Sequence, residues 1–483
     1  MSERLRPSDL AFLSAESPAT PMHNATLEIF EAGLEYDALV VLIADRIAFV
    51  PRYRQRLQRV PGGLANPVWV DDERFDLGFH VRRSGLPRPG TMEQLLELVG
   101  RIMSRPLDPH RPLWEVYFIE GPQDGRVAVL SKSHQVLVDG VETVDLGQVL
   151  LDTGPEPKTL GRDDWAPRRA PSPVRLAAAA LRDNVRDPGT LLATGRSTAE
   201  AALRGVETVR DRMGDVANAL ANRRPTFDSP INAALSEQRR FVTVRTDLED
   251  YRRIRQVHGG SVNDVVLATV TGALRAWLTA RGTPAGAMRQ LRAMVPMSVI
   301  DDELEATSLG SQIAGHLVAL PVGEGSPVVR LHQVSYAFQA HGETGRAVAA
   351  NRLAGIAGFA PTTFHALGSR VAAQQLRKGF HLAVTNVPGP QFPLYAAGAR
   401  MVETYPVQPL LPDQALAIGV TSYDGGVYYG ITADRDALPD VTILGQCLTE
   451  ALDELVDSAS DARPRAPRGR RRPAAKKPSG QPD

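Results

Sequence analysis

Two adjacent polar residues, His134 and Gln135, follow a strand-like apolar run from Val127 to Leu130, and Asp139-Gly140 lies just beyond them. A neutral imidazole suits proton removal from an attacking hydroxyl, because its pKa lies near working pH. A carboxamide accepts no proton at any useful pH, yet it can orient a hydroxyl or donate to a developing oxyanion. Asp139 suits bracing the loop through an ionic or hydrogen-bonded contact, and Gly140 suits a tight backbone. Asn263 and Asp264 follow Ser261 at the head of a long apolar run. A Ser three residues ahead of an acid is a capping-box pattern, and capping accounts for Asp264 without catalysis. Asn386 stands just before the Pro388-Gly389-Pro390 turn.

The elements that must position these residues are legible from periodicity and turn chemistry. Ala25–Phe30 alternates as a strand, and Val116–Glu120 is a second strand ahead of the Gly121–Gly125 turn. Tyr36–Val50 and Met92–Met103 read as helices, and the basic stretch Pro51–Leu57 reads as a solvated helix start. Val141, Val144, Leu150 and Leu151 mark a helical apolar face after the polar pair. Strand alternation sends successive side chains to opposite faces, so His134 points away from any site that Gln135 faces unless the strand ends or bulges there.

A Pro- and charge-rich change near Asp152 closes a first domain, 1–151. Residues 152–237 form a linker with Ala-rich helices broken near Asp187-Pro188-Gly189, read as packed on their own domains. A second domain, 238–460, carries strands at Arg240–Arg245, Leu291–Val299, Ala415–Val420 and Val427–Ile431. Its helices are Leu248–Val257, the run from Ser261 through Leu278, and Ile443–Leu455. A basic Pro/Ala tail, 461–483, has no apolar content to bury and reads as disordered.

The 483 residues suit two domains with connections. A formal net charge of zero gives no bulk field that would point to a specific nucleic acid. One cysteine, Cys447, excludes an internal disulfide framework and fits a reducing cytoplasm. No apolar run approaches the roughly 20 residues of a membrane span, so any membrane contact is expected to be peripheral.

The segment from His134 to Gly140 resembles the HHxxxDG motif of bacterial wax ester synthase/diacylglycerol acyltransferases. These are relatives of CoA-dependent acyltransferases such as chloramphenicol acetyltransferase and of peptide-synthetase condensation domains. Further matches are Pro112-Leu113-Trp114 before a strand, the Asn263-Asp264 pair, the run Asn386 to Pro390 and Gly398-Ala399-Arg400. The resemblance implies an α/β fold of two similar lobes with a tunnel between them, where an acyl-CoA co-substrate meets diacylglycerol or a long-chain alcohol. It implies no metal and no bound cofactor, and it allows contact with an inner membrane face or a lipid droplet. The family's second motif His is its general base, and here that position holds Gln135. Ile300 and Ser311 also depart from pattern, standing where Arg and Asn are usual. Three readings follow: an acyl-CoA O-acyltransferase, a silent relative that binds acyl-CoA or lipid, or an acyltransferase whose acceptor activates itself.

Overall fold

The computed structural model describes residues 3–137, 150–158, 163, 165–186, 229, 231–283, 291–298, 313–342 and 379–461. The N-terminal half runs α1 (Pro7–Ala15), β1 (His23–Phe30), α2 (Tyr36–Ile47), β2 (Gln55–Gln58), β3 (Val68–Asp71) and α3 (Leu77–His80). It continues with β4 (Val81–Gly85), α4 (Met92–Met103), β5 (Trp114–Glu120), β6 (Val127–His134) and, after the motif, α5 (Pro173–Arg186). The second half begins with β7 (Arg239–Asp247), α6 (Leu248–His258), α7 (Val262–Ala280), β8 (Arg292–Ser298), β9 (Ile313–Ala319) and α8 (Pro327–Gly342). It ends with β10 (Leu382–Pro388), β11 (Tyr395–Ala396), β12 (Ala399–Val407), β13 (Leu416–Tyr423), β14 (Gly426–Asp434) and α9 (Val441–Asp461).

These strands build two six-stranded sheets, ordered β11-β12-β1-β6-β5-β4 and β7-β14-β13-β10-β8-β9. The first is antiparallel except where β4 runs beside β5, and the second is parallel only where β10 meets β13 and β8. Each sheet has its own apolar core, and the first core draws in Phe241, Tyr423 and Tyr428 from the second lobe. The expected α/β two-lobe architecture is therefore present.

β11 and β12 lie in the 238–460 stretch by sequence, yet they are hydrogen-bonded to the first sheet, with Ala25 opposite Val407 and Leu27 opposite Tyr405. Where β12 crosses the second sheet, Pro406 fits against Gly419 and Gly430, which face each other across β13 and β14. A side chain at either glycine would collide with Pro406. Glycine in a strand interior often marks such a close approach of two backbones.

α4 shows how local sequence holds the frame. Thr91 and Gln94 close a capping box at its start, and Leu95, Val99, Ile102 and Met103 recur at helical spacing on its buried face. Its last carbonyls are taken by buried side chains of the first sheet. Lys132 Nζ donates to Ile102 at 3.2 Å, and His23 Nε2 donates to Met103 at 2.9 Å. A buried cation at a helix C-terminus also complements its dipole. Burial pulls the Lys132 ammonium down to about 8, against the opposing pull of Glu115.

Pro51–Leu57 differs from its reading as a solvated helix start. Pro51–Arg54 is a short 3-10 turn leading into β2. Arg54 is buried, forks onto both carboxylate oxygens of Asp163 and lies 4.8 Å from the Trp165 ring centre. α5 packs Leu176 and Ala180 on Val60, Val68 and Val70, and the remainder of the Ala-rich stretch, 187–228, lies outside the described residues. No helix among the described residues is long and apolar enough to cross a membrane.

Candidate active site

β6 ends at His134, and Gln135–Leu137 turns as a short 3-10 helix. The backbone there is held from both sides. His134 N–H donates to Leu113 at 2.9 Å, and Gln135 N–H donates to Met22 at 3.0 Å. Pro112, Leu113 and Trp114 are buried, so this stretch is the wall against which the motif strand is registered. Trp114 donates its indole N–H to the Tyr53 carbonyl at 2.8 Å and stacks on His80 at 4.5 Å. Its role is an anchor with a satisfied polar handle.

The His134 ring serves the turn. A backbone N–H can only donate, so Nδ1 accepts from Val136 at 3.1 Å and the proton of the neutral ring lies on Nε2. Nε2 faces Glu16 Oε2 at 3.4 Å, an ion-pair distance rather than a tight hydrogen bond. The other Glu16 oxygen accepts from Met22 N–H at 3.1 Å. Burial opposes ionisation of Glu16, but His134, the Met22 N–H and Lys132 together outweigh it and hold the carboxyl below its ordinary range. With one nitrogen taken up by Val136 and the other carrying a proton toward Glu16, His134 has no lone pair to offer a substrate. It positions Gln135 and is a poor stand-in base.

His23 lies directly opposite His134 in the β1–β6 ladder. Burial is the main force that drives its pKa well below that of an ordinary histidine, with the Lys132 charge next and His134 and Arg239 adding, while the Met103 carbonyl opposes. A depressed histidine pKa means that the unfolded chain takes up a proton below about 6.5 while the fold does not. Stability from this site is present above that pH and falls as pH drops through it. Glu16 has the same sign at lower pH, since its ionised form is favoured in the fold and its contribution is lost as the carboxylate is protonated. Replacing His23 with Gln keeps a donor for Met103 and removes the titration. The His23→Gln protein is expected to show a pH dependence of stability between 6.5 and 5 that is shallower by up to about 1.4 kcal/mol per pH unit. Denaturant midpoints across that range check it, and parallel slopes would show that His23 charges freely in the fold.

Gln135 is buried, at 1 % exposure. Its N–H bond to Met22 carries the β1–β6 ladder one pair past the end of β6, which keeps Gln135 in step with Ser131 and Ser133 on one side of the sheet. That side also carries Asn24 and Thr26 on β1 and Pro406 on β12, by the register Asn24–Ser133, Thr26–Ser131 and Thr26–Pro406. Because Pro406 abuts Gly419 and Gly430, this is the side that meets the second sheet.

On the second lobe, Asn386 Nδ2 donates to Asn263 Oδ1 at 2.8 Å, joining β10 to the first turn of α7. Asp264 accepts from Ser261 N–H at 2.8 Å and from Ser335 Oγ at 3.1 Å, and its own N–H donates to Ser261 Oγ. It is the cap that its spacing indicates. The geometry thus brings His134, Gln135 and Pro112–Trp114 together in one group and Asn263 with Asn386 in another. Asp139, Gly140, Ile300 and Ser311 lie outside the described residues, as does nearly all of the basic tail. Glu16, the Met22 carbonyl and the Gly419–Gly430 pair are parts of the frame that sequence reading missed. Only the two strand glycines carried a signal, as isolated glycines inside alternating strands.

Comparison with known proteins identifies the family. Residues 5–266 match the wax ester synthase/diacylglycerol acyltransferase catalytic domain, and residues 309–456 match the WS/DGAT C-terminal domain. The chain belongs to the wax ester synthase/diacylglycerol acyltransferase family. A probable diacylglycerol O-acyltransferase of Mycobacterium tuberculosis is 44 % identical over 262 residues, 53 % of this chain and 96 % of that one. A putative diacylglycerol O-acyltransferase of the same organism is 32 % identical over 469 residues, 93 % of this chain and 99 % of that one. Among solved structures, the wax ester synthase/diacylglycerol acyltransferase from Marinobacter aquaeolei superposes with a TM-score of 0.65 at 27 % identity, covering 95 % of this chain and 100 % of that one. A condensation domain of the calcium-dependent antibiotic synthetase shares the fold, with a TM-score of 0.53 at 16 % identity over 95 % of this chain and 97 % of that domain. The protein is an acyltransferase of this family.

Proposed function

We propose that the chain transfers the acyl group of an acyl-CoA to the hydroxyl of a lipid acceptor, diacylglycerol or a long-chain alcohol, forming triacylglycerol or wax ester. The observation that carries this reading is the placement of the motif turn. Residue 135 is clamped through its backbone and set on the side of the first sheet that meets the second lobe. In the reaction the acceptor oxygen bonds to the thioester carbonyl carbon, the carbon–sulfur bond breaks, and the hydroxyl proton ends on the released CoA thiol. Gln135 orients the hydroxyl or donates its amide N–H to the carbonyl oxygen as charge develops there. It cannot remove the proton, so the reaction runs without general-base help from this position. Acceptor and product are lipids, and the protein accordingly works on the cytoplasmic side at a membrane or lipid-droplet surface.

Purified protein given palmitoyl-CoA and either diacylglycerol or hexadecanol is expected to release CoA slowly and only when an acceptor is present, as followed with a thiol reagent. Gln135 also supports a second reading, a silent relative that binds acyl-CoA without turnover. Calorimetric binding of palmitoyl-CoA with no ester formed from either acceptor would establish that second reading in place of the first.

A further inference from the structure

On the side of the first sheet that carries Pro406, hydroxyl and amide side chains stand in two neighbouring cross-strand pairs, Asn24 with Ser133 and Thr26 with Ser131. Each keeps only 6–7 % of its surface exposed. Among the described residues, neither the Asn24 amide nitrogen, nor its oxygen, nor Ser131 Oγ has a hydrogen-bond partner. Polar groups so placed destabilise the fold when nothing pairs with them. On the opposite side of the same two strands, Lys132 Nζ and His23 Nε2 are spent on the carbonyls of α4. Asn24 and Ser131 therefore stand ready for atoms that the described residues do not supply.

Their position relative to the motif says which atoms. Asn24 pairs with Ser133, two residues before Gln135, and Ser131 lies one further step along the same side. Successive same-side residues of a strand are about 7 Å apart, so these groups trail away from Gln135 by one and two such steps. We propose that Asn24 and Ser131 bind the ester oxygens of a glyceride acceptor whose free hydroxyl sits at Gln135, and that they select diacylglycerol over a long-chain primary alcohol. This rests on the acyl-transfer reading above. A diacylglycerol presents two ester carbonyls beside its hydroxyl, one for the Asn24 N–H and one for the Ser131 hydroxyl. A fatty alcohol has a single oxygen and would lay methylene groups against both side chains, leaving them dry and unpaired. Sites built to hydrogen-bond a substrate discriminate strongly against analogues that lack the matching group, for this reason.

The test compares kcat/KM for 1,2-dioleoylglycerol and for hexadecanol, with palmitoyl-CoA as donor, in the full-length chain. Wild type is expected to favour the glyceride. Asn24→Leu, close in size and apolar, should lower the glyceride-to-alcohol ratio by at least about tenfold. Ser131→Ala should lower it in the same direction by about threefold, the worth of one neutral hydrogen bond. Both acceptors are assayed on the same preparation, so partial misfolding cancels from the ratio. A ratio unchanged in both variants overturns the subsite and leaves the acyl-transfer reading standing. Absence of ester from either acceptor in wild type removes that reading, and the subsite with it.

Discussion

Gln135→His is expected to raise the rate of CoA release with palmitoyl-CoA and diacylglycerol at least about tenfold, a conservative floor beneath the 10²–10⁴-fold that a positioned general base is usually worth. That 10²–10⁴-fold range corresponds to about 3–5 kcal/mol of barrier. The frame for such a base is already in place. The backbone on either side of position 135 is held by Leu113 and Met22, and the His134 ring caps the turn through Val136. An imidazole put there inherits the orientation of the amide and adds a lone pair that the amide lacks. His134 cannot supply that lone pair, because its nitrogens are committed to Val136 and toward Glu16. The companion His134→Ala protein should therefore lose activity through a loosened turn, with no change in the shape of its pH–rate profile. Fast wild-type turnover with no gain in Gln135→His would show that another group takes the proton. Loss of an ionisation from the profile of His134→Ala would identify that group as His134.

Much of this frame was readable before any coordinates. A continuous apolar run from Val127 to Leu130 leads into the polar pair His134-Gln135 and then Asp139-Gly140, so a strand that delivers the pair follows from the local pattern alone. The Ser261–Asp264 spacing identifies a cap, and the side-chain geometry is that of a cap. The readings that failed depend on partners far away in sequence. Arg54 looks solvated among its basic neighbours, yet Asp163, over a hundred residues on, and the Trp165 ring make its burial affordable. The stretch that forms β12 falls in the second domain, 238–460, by its place in the chain, while it is laddered to β1, at the other end of the sequence. Local propensity carries no information about such pairings. Glu16 illustrates the same limit, since a single acid after a short helix gains meaning only when His134 and Met22 arrive beside it.

Gly430→Ala is expected to cost the largest share of stability of any small substitution in the crossing region. A methyl built there would stand 1.9 Å from the Pro406 carbonyl oxygen and 3.0 Å from its carbon, so β12 or β14 must move. Overpacking against backbone, which cannot change rotamer, belongs at the top of the usual range, about 3 kcal/mol. The midpoint of thermal unfolding should fall by about 6–12 °C for a lobe of this size. Gly419→Ala meets the proline ring instead, with 2.8 Å to Cγ, and trimming that ring in a Pro406→Ala background should recover part of its loss. The same background should not rescue Gly430→Ala, whose obstacle is the carbonyl itself; a double-mutant cycle separates the two. Gly85→Ala has nothing within 4 Å of its new methyl and serves as the neutral control. A wild-type midpoint in Gly430→Ala would mean that β12 does not lie this close to β14. Because β12 is hydrogen-bonded beside β1 in the first sheet while packing on the second, such a result would also detach Gln135 from the side that meets the second lobe, and with it the placement on which acyl transfer is argued.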